Sequence, residues 1–302
     1  MSLRTRAALF LAALALPTTI AFAEAVSLDE AVAKALAVTP LAQANDASIA
    51  AARSGRTQAD VKPNPTVSVQ QENVFGTGPI GAFNQAEFTA TYGQTIERGG
   101  KRAARVGVAD GDIRVAEASA RVARLDFAAE VERAFIDVYI AREVVRMSEF
   151  RLVTEQEIER EALRRVRGYK DPLFVETRAA ARVAQAKIDL DHAKARLAAA
   201  RNRLASFWRG DGATLEVTGE IGWPTRQMNV LAQADDDLAR AEIERSGAVV
   251  TLQQSYSTQD YTLNGGVRYL RGPNAVAFVG GITIPLGRYD RNQGGIARAE
   301  AD

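Results

Sequence analysis

The sequence predicts a mainly α-helical protein in which a long antiparallel coiled-coil hairpin is combined with four β-strands. The whole is an internal duplication with an incomplete second repeat. Three observations predict this fold class. A heptad pattern accompanies a stretch that is free of glycine and proline, alternating apolar and polar segments occur in two pairs, and two short motifs recur about 190 residues apart.

Residues 1–23 have the composition of a secretory signal peptide. Arg4 and Arg6 precede the apolar run AALFLAALAL, and Ala21-Phe22-Ala23 suits a small-residue cleavage site. The apolar run is too short to span a bilayer, and no later segment approaches the apolar length of a membrane helix. This leaves a periplasmic protein, a secreted protein or an outer-membrane β-barrel. The chain has no cysteine, which excludes disulfides and thiolate metal sites, and its net charge of +1 gives no sign of a nucleic-acid partner.

The first repeat is assigned to residues 24–228 and begins with the sequence SLDE. This is a capping box, in which Ser27 caps a helix and Glu30 reaches back. We expect that helix to run with interruptions toward Lys62, where the prolines of KPNPT end it.

A strand hairpin is expected over residues 64–98. TVSVQQENVFG alternates in part and AEFTATYGQTI alternates well, which predicts one apolar and one polar face. The apolar face comprises Ala86, Phe88, Ala90 and Tyr92, and the polar face comprises Glu87, Thr89 and Thr91.

A long helical hairpin is predicted over residues 101–208. A single helix from Lys101 to Arg167 would be about 100 Å long, so it must project from the core and pack along another helix. In the turn at 168–172, Gly168 can end the first helix and Pro172 can begin the next. The apolar seam of that second helix steps alternately by three and four residues. The seam comprises Val183, Ala186, Leu190, Ala193, Leu197, Ala200, Leu204 and Phe207; the first helix offers Val131, Val138, Val145 and Leu152, with Phe127 and Phe135 beside them.

An equatorial segment of short strands or loops, residues 209–228, leads to the second repeat, residues 229–302. We expect a helix around 229–256, a strand hairpin over 260–286 and the start of a second long helix. Tyr261, Leu263, Val267 and Tyr269 form the apolar side of the first of these strands, and Thr262, Asn264 and Arg268 form its polar side. Thr95-Ile96-x-x-Gly99 is repeated as Thr283-Ile284-x-x-Gly287, and Gly78-Pro79 is repeated as Gly272-Pro273.

Four amphipathic strands cannot close a barrel, because about eight are needed to enclose a filled interior. A membrane also forbids unpaired strand edges. Cyclic symmetry with three copies would supply twelve strands and gather the helical hairpins into a tube. The residues expected to face the lumen are Glu87, Thr89, Thr91, Thr262, Asn264 and Arg268.

The segments QTIERGGKRAAR and ITIPLGRYDRNQGGIARAEA resemble strand-to-helix junctions of the outer-membrane efflux protein family, the TolC-like channels, in its CzcC-like heavy-metal branch. The junction residues are Gly99, Gly100, Lys101, Arg102, Asp290, Arg291, Asn292, Gln293 and Gly294. The resemblance covers residues 27–302. It implies a homotrimer with a twelve-stranded barrel in the outer membrane of a Gram-negative bacterium and helices in the periplasm. No cofactor is implied.

The resemblance also implies a passive exit duct for heavy-metal cations, whose hairpin tip docks onto a periplasmic adaptor joined to an inner-membrane proton-driven transporter. The tip comprises Arg167, Gly168, Tyr169, Lys170, Asp171 and Pro172. A turn so far from the core has no packing role, which favours docking. Lys170, Asp171 and Pro172 stand where the family often has small or hydroxyl residues, so they leave the choice of adaptor open.

The family continues beyond the position where this sequence stops and supplies a second helical hairpin. We therefore expect a chain truncated at its C-terminus, with apolar seam surface left uncovered and poor stability. Two other functions remain open: a TolC-like duct for organic toxins or secreted proteins, and a soluble periplasmic coiled-coil adaptor or structural protein.

Three further features receive structural interpretations. His192, with Asp189 and Asp191, is too sparse a set for a stable metal site and is interpreted as an ordinary helix-surface residue. Residues 235–237, three consecutive aspartates, are interpreted as the start of a helix. Lys101 and Arg102 are expected to follow a strand end at the lipid headgroups. No catalytic constellation occurs, so the chain is not expected to be an enzyme.

Overall fold

The computed structural model describes residues 24–81, 83–219 and 225–302. The chain divides into two compact units, one of Met1–Thr39 with Ala128–Ile221 and the other of Pro40–Phe127 with Gly222–Asp302. The predicted signal peptide lies outside the described residues. Within the described ranges, no helix is both long enough and apolar enough to cross a bilayer.

The first unit begins with the short strand β1 (Glu24–Val26) and helix α1 (Leu28–Val38). The predicted capping box is present: the Ser27 hydroxyl accepts from the Glu30 amide at 3.4 Å, and the Ser27 amide donates to the Glu30 carboxylate at 2.9 Å. The hydrogen bonds that the Ser27 amide and hydroxyl donate to the Glu30 carboxylate lower the pKa of Glu30. Helix α1 ends before Thr39-Pro40, because a residue that precedes proline disfavours the helical conformation.

Two long helices form the hairpin of the first unit. Helix α3 (Lys101–Arg167) enters this unit at Ala128 and is followed by α4 (Leu173–Ser206). The seam prediction is confirmed by burial: Val131 and Val138 are buried on α3, as are Val183, Ala186, Leu190, Ala193 and Leu204 on α4. An ion pair between Arg151 and Asp189 at 3.0 Å links the two helices.

The N-terminal strand of the first unit was not predicted. Strand β1 pairs in parallel with β4 (Leu215–Val217), within the segment expected to hold short strands or loops. Val26, Leu215 and Val217 are buried. Three residues give too short a pattern for alternation to reveal a strand.

The second unit contains one antiparallel sheet of four strands. These are β2 (Thr66–Glu72), β3 (Glu87–Ile96), β5 (Tyr261–Leu270) and β6 (Ala275–Thr283), in the order β2-β3-β5-β6. Both predicted strand hairpins are therefore present, and the central pairing joins β3 of the first repeat to β5 of the second.

Helices α2 (Leu41–Ala59), α5 (Thr225–Ser255) and α6 (Gln293–Ala301) complete the second unit with the first part of α3. Exposed ion pairs link α2 and α5 to α3: Arg56 lies 2.6 Å from Asp110, and Arg114 lies 3.1 Å from Glu244. Each such exposed pair contributes less than about 1 kcal/mol. Residues 235–237 lie inside α5 rather than at its start, so their interpretation as a helix start is wrong.

Candidate functional site

The sheet of the second unit separates polar from apolar side chains. In an antiparallel sheet, residues that lie directly opposite each other share a face. The register pairs Thr89 with Arg268 and Thr95 with Thr262, whose hydroxyls lie 3.1 Å apart. It therefore places all six residues predicted for the lumen, Glu87, Thr89, Thr91, Thr262, Asn264 and Arg268, on one face.

The opposite face of the sheet is apolar across all four strands. Phe88 pairs with Tyr269, and Ala90 pairs with Val267. Most of these side chains are exposed, and Phe278 is 91% exposed. The large apolar residues of this face are Val67, Val69, Phe88, Tyr92, Leu263, Val267, Tyr269, Val276, Phe278 and Ile282. An exposed apolar surface of this extent marks an interaction with lipid or protein.

Both outer strands of this sheet lack a second partner within the described chain. Strand β2 pairs only with β3, and β6 pairs only with β5. Their outward backbone N–H and C=O groups are therefore available to another strand.

The polar face carries a charged network at the end of the sheet where the interstrand loops lie. Arg268 lies 2.9 Å from Glu87 and 3.5 Å from Glu72. Asn73 donates to Glu87 at 3.3 Å. One cation thus holds two carboxylates on neighbouring strands. The sequence pattern located Glu87 and Arg268 but missed Glu72, because alternation in β2 is incomplete.

The hairpin tip is a closed turn with an exposed aromatic ring. Lys170 donates its amide to the Arg165 carbonyl at 2.9 Å, and Tyr169 donates to Val166 at 3.0 Å. These two bonds form a Schellman motif. The left-handed residue is Tyr169, with φ of 56°, and not Gly168 as the sequence suggests. Tyr169 is 98% exposed.

A bidentate ion pair closes the tip. The Arg165 guanidinium donates to the two Asp171 carboxylate oxygens at 2.6 and 3.1 Å. The hydrogen bond from Arg165 lowers the pKa of Asp171 below its ordinary value. The sequence analysis missed Arg165, since a pairing across six residues and a turn follows no helical spacing. Pro172, predicted to begin α4, is its N-cap in an extended conformation, and the helix starts at Leu173.

The first strand-to-helix junction is built around Asp260. Its Oδ1 accepts from the Arg98 amide at 2.9 Å and from the Lys101 ammonium at 2.8 Å. The Lys101 side chain is only 9% exposed, so its charge is largely covered beside Asp260. Arg102 pairs with Asp60 at 2.9 Å. Carboxylates of the same unit thus engage both cations, and their expected position at the lipid headgroups stays a prediction.

The second junction uses amides in place of this ion pair. Asn292 donates to the Gln253 carbonyl and to its side-chain oxygen, both at 2.8 Å. The backbone of Asn292 is in the left-handed conformation, with φ of 58°, and its backbone N–H donates to the Asp290 carboxylate at 2.9 Å. The Arg291 backbone amide donates to the Gln293 side-chain oxygen at 3.0 Å, and Gln293 and Gly294 are the first two residues of α6. The predicted DRNQG element thus forms a compact turn that leads into α6; its partner Gln253 had no sequence signal.

The residues around His192 do not gather into a site. His192 is exposed on α4, and Asp189 is engaged by Arg151 and Gln185. Across residues 24–81, 83–219 and 225–302, no group of three or more His, Cys, Asp or Glu side chains has the geometry to hold a metal.

Comparisons with known proteins relate this arrangement to channels. No family model matches the chain. The chain is 30% identical to the cobalt-zinc-cadmium resistance protein CzcC of Cupriavidus metallidurans, over 81% of this chain and 59% of that protein. It is 28% identical to the nickel-cobalt-cadmium resistance protein NccC of Alcaligenes xylosoxydans xylosoxydans, over 88% of this chain and 62% of that protein. The chain thus spans about 60% of the length of these curated relatives.

Solved structures share the fold. The outer-membrane channel OprN superposes with a TM-score of 0.69 at 19% identity, over 91% of this chain and 68% of that chain. The outer-membrane protein VceC of Vibrio cholerae superposes with a TM-score of 0.66 at 22% identity, over 91% of this chain and 72% of that chain. The resemblance to CzcC-like outer-membrane efflux proteins is confirmed. With it, the prediction of a mainly α-helical chain that also carries an antiparallel sheet of four β-strands is confirmed. These relatives and neighbours are named as resistance proteins, membrane proteins and channels, not as enzymes.

Proposed function

We propose that this chain is a subunit of an outer-membrane channel that serves as a passive exit duct for heavy-metal cations. The observation that supports the proposal best is the four-stranded sheet with one polar face, one apolar face and two unpartnered edges. A sheet of this kind fits a membrane when its apolar side meets lipid and its edges pair with other copies.

Three copies would complete the barrel. Pairing β2 of one copy with β6 of the next would satisfy both edges and give twelve strands. The proposed homotrimer turns the polar face inward, with Thr89 and Thr91 lining the lumen. The helices of both units would then extend into the periplasm, in keeping with the likeness to outer-membrane channels.

The polar face of the sheet is better suited to letting cations pass than to binding them tightly. Its carboxylates at Glu72 and Glu87 attract cations but are already engaged by Arg268. A duct needs surfaces that attract an ion and release it again, whereas a complete ligand set would retain it. The energy for transport would come from a partner, proposed to be an inner-membrane proton-driven transporter.

The hairpin tip is the proposed docking site for a periplasmic adaptor. It presents the Tyr169 ring together with Leu173 and Phe174, which are all exposed. Arg167 and Lys170 have no ion-pair partner among the described residues, while Asp171 is held by Arg165. Aromatic and arginine side chains of this kind often dominate binding energy at interfaces. An adaptor surface with an apolar groove and acidic rim would complement this tip.

The test is expression of the full chain in a Gram-negative strain that retains a metal-efflux transporter and adaptor but lacks its own channel. We expect restored tolerance to cobalt, zinc or cadmium, and a trimer when the outer-membrane fraction is extracted into mild detergent. Tyr169→Ala is expected to lose tolerance while the trimer remains, because it removes a tip contact and leaves the sheet intact. Arg178→Gln, a change on the exposed surface of α4, serves as control.

The outcomes separate the alternatives. Tolerance to organic toxins without tolerance to metals would support the other cargo and contradict the metal proposal. A monomer in the soluble periplasm would support an adaptor or structural protein and contradict the channel.

A further inference from the structure

The end of the sheet that joins the helices has an excess of basic side chains. The segments 60–66, 96–105, 256–261 and 283–293 meet there and contain seven basic residues against four acidic ones. The opposite end, comprising segments 72–87 and 268–275, contains two of each. The chain as a whole is almost neutral, so the positive charge is local to one end of the sheet.

The acidic residues at this end are already engaged. Asp260 is held by Lys101, Asp60 by Arg102 and Glu97 by Arg105, while Asp290 accepts from a backbone amide. The cations that neutralise them belong to the start of α3. The remaining positive charge is therefore carried by side chains without a carboxylate partner.

Two arginines stand out among these unpaired cations. Arg98 and Arg288 are exposed, and neither has an ion pair within the described chain. Each guanidinium lies near a tyrosine ring instead: Arg98 is 5.9 Å from the Tyr261 centroid and Arg288 is 5.3 Å from the Tyr289 centroid. A ring at this distance attracts the cation and leaves its outward N–H groups available to an anion.

The topology places both arginines at the same border of the apolar face. Strands β3 and β6 both run antiparallel to β5, so they end at the same side of the sheet. Arg98 follows β3 by two residues and Arg288 follows β6 by five. Tyr261 belongs to the apolar face, opposite Ile96, and Leu286 is 88% exposed beside Arg288.

We propose that Arg98 and Arg288, with Tyr261 and Tyr289, form a site for the phosphate groups of anionic phospholipids at the helical border of the membrane. The proposal rests on the proposed channel function, since it requires the apolar face to lie in lipid. Guanidinium groups bind phosphate through two parallel hydrogen bonds, and aromatic rings favour the depth of the headgroups. The adjoining Ile284 and Leu286 would contact the acyl chains. Arg98 gives the clearer test of the two arginines, because it follows the central strand β3. In the proposed trimer, neighbouring copies would pair only with the outer strands β2 and β6 and would leave Arg98 uncovered.

The test measures lipid binding to the full chain in mild detergent by native mass spectrometry. Phosphatidylglycerol and phosphatidylcholine are titrated separately, and glycerol 3-phosphate serves as a free phosphate. We expect phosphatidylglycerol to bind about thirtyfold more tightly than phosphatidylcholine, as two basic side chains near an anionic surface predict. The double variant Arg98→Gln/Arg288→Gln is expected to lose this preference. Arg178→Gln/Arg182→Gln, which removes two exposed charges from α4, is expected to keep it.

Equal binding of the two lipids by the unaltered chain would overturn the site, as would a preference that survives in the Arg98→Gln/Arg288→Gln variant. Displacement of phosphatidylglycerol by glycerol 3-phosphate at matched concentration would overturn its assignment to a lipid. A parallel flotation assay uses vesicles of phosphatidylcholine alone and of equal parts phosphatidylcholine and phosphatidylglycerol. Failure to float with either would contradict the channel proposal too, whereas flotation without lipid preference would contradict the lipid site alone.

Discussion

Two adjacent glycines at the first junction share a backbone conformation but differ in their surroundings. Gly99 and Gly100 have φ of 69° and 71°. A Cβ on Gly99 would lie 2.7 Å from the Thr258 Cβ and 2.9 Å from the Ser255 carbonyl oxygen, whereas one on Gly100 would meet nothing within 4 Å. Gly99 is thus required for close packing as well as for its backbone angle.

We expect Gly100→Ala to cost about 1–2 kcal/mol, because an L-residue is strained in the left-handed region. Gly99→Ala is expected to cost about 1–3 kcal/mol more, since it also overlaps the end of α5. Chemical denaturation of the detergent-extracted protein measures the difference. Equal destabilisation by the two variants would contradict the close packing at Gly99.

The ion pair at the tip gives a prediction about pH. Asp171 has a folded-state pKa below its ordinary value of 3.8, so its pairing with Arg165 stabilises the turn fully above that value. The stabilisation is lost as pH falls through the lower, folded-state pKa. Protection against hydrogen exchange at residues 168–171, relative to the intrinsic rate at each pH, should therefore stay high at pH 5 and fall only in stronger acid, as that linkage requires.

Asp171→Asn is the matched variant for the tip. It keeps the shape of the side chain and removes its charge, so protection against exchange at 168–171 should be low and insensitive to pH between neutrality and the acid range. An unaltered chain that behaves like this variant would show that the ion pair does not order the turn.

At the scale of single elements, the alternation of β6 gives neighbouring residues opposite environments. Phe278 lies on the apolar face with Val267, and Ala277 lies on the polar face with Arg268. An aspartate introduced on the lipid side of a barrel strand is destabilising, whereas the lumen side accepts charge.

We therefore expect Phe278→Asp to reduce the trimer in the outer-membrane fraction severely and Ala277→Asp to leave it almost unchanged. Immunoblotting of fractionated membranes, without heating the sample, reports both. A loss that is equal for both variants, or greater for Ala277→Asp, would reverse the assignment of the faces.

Sequence patterns located the regular elements of this chain well. The seam of α4 and the two faces of β3 and β5 follow from periodicity alone, because burial on one side fixes the spacing of apolar residues. The tip turn was located too, but its left-handed residue is Tyr169, where composition suggested Gly168.

The contacts that hold the junctions were beyond prediction from sequence. Lys101 and Asp260 are 159 positions apart, and Asn292 and Gln253 are 39 apart. Such pairs depend on which chain segments meet, and no local pattern records this. The interpretation of aspartates 235–237 as a helix start failed for a different reason. Acidic residues favour the first turn of a helix, but α5 begins ten residues earlier, at Thr225.

At the scale of the whole molecule, unpartnered sheet edges link stability to concentration. If β2 of one copy pairs with β6 of the next, unfolding and dissociation are coupled, and dilution lowers the melting temperature. We expect this temperature to fall steadily as the detergent-extracted protein is diluted. A melting temperature that is independent of concentration would indicate a chain that folds alone and would count against the trimer.

The strand order has a further consequence for the time course of folding. Strand β3 must find β5, and Ala90 lies opposite Val267 only after both helices of the hairpin have left the ribosome and crossed the inner membrane. Contacts of such long sequence separation form slowly, whereas the helices can form from local contacts at once. The helical hairpin should therefore be complete while the apolar face of the β2–β3 strand hairpin is still exposed to the periplasm. The interval between these two events is when the nascent chain is most exposed to aggregation, and when a holding chaperone would matter most.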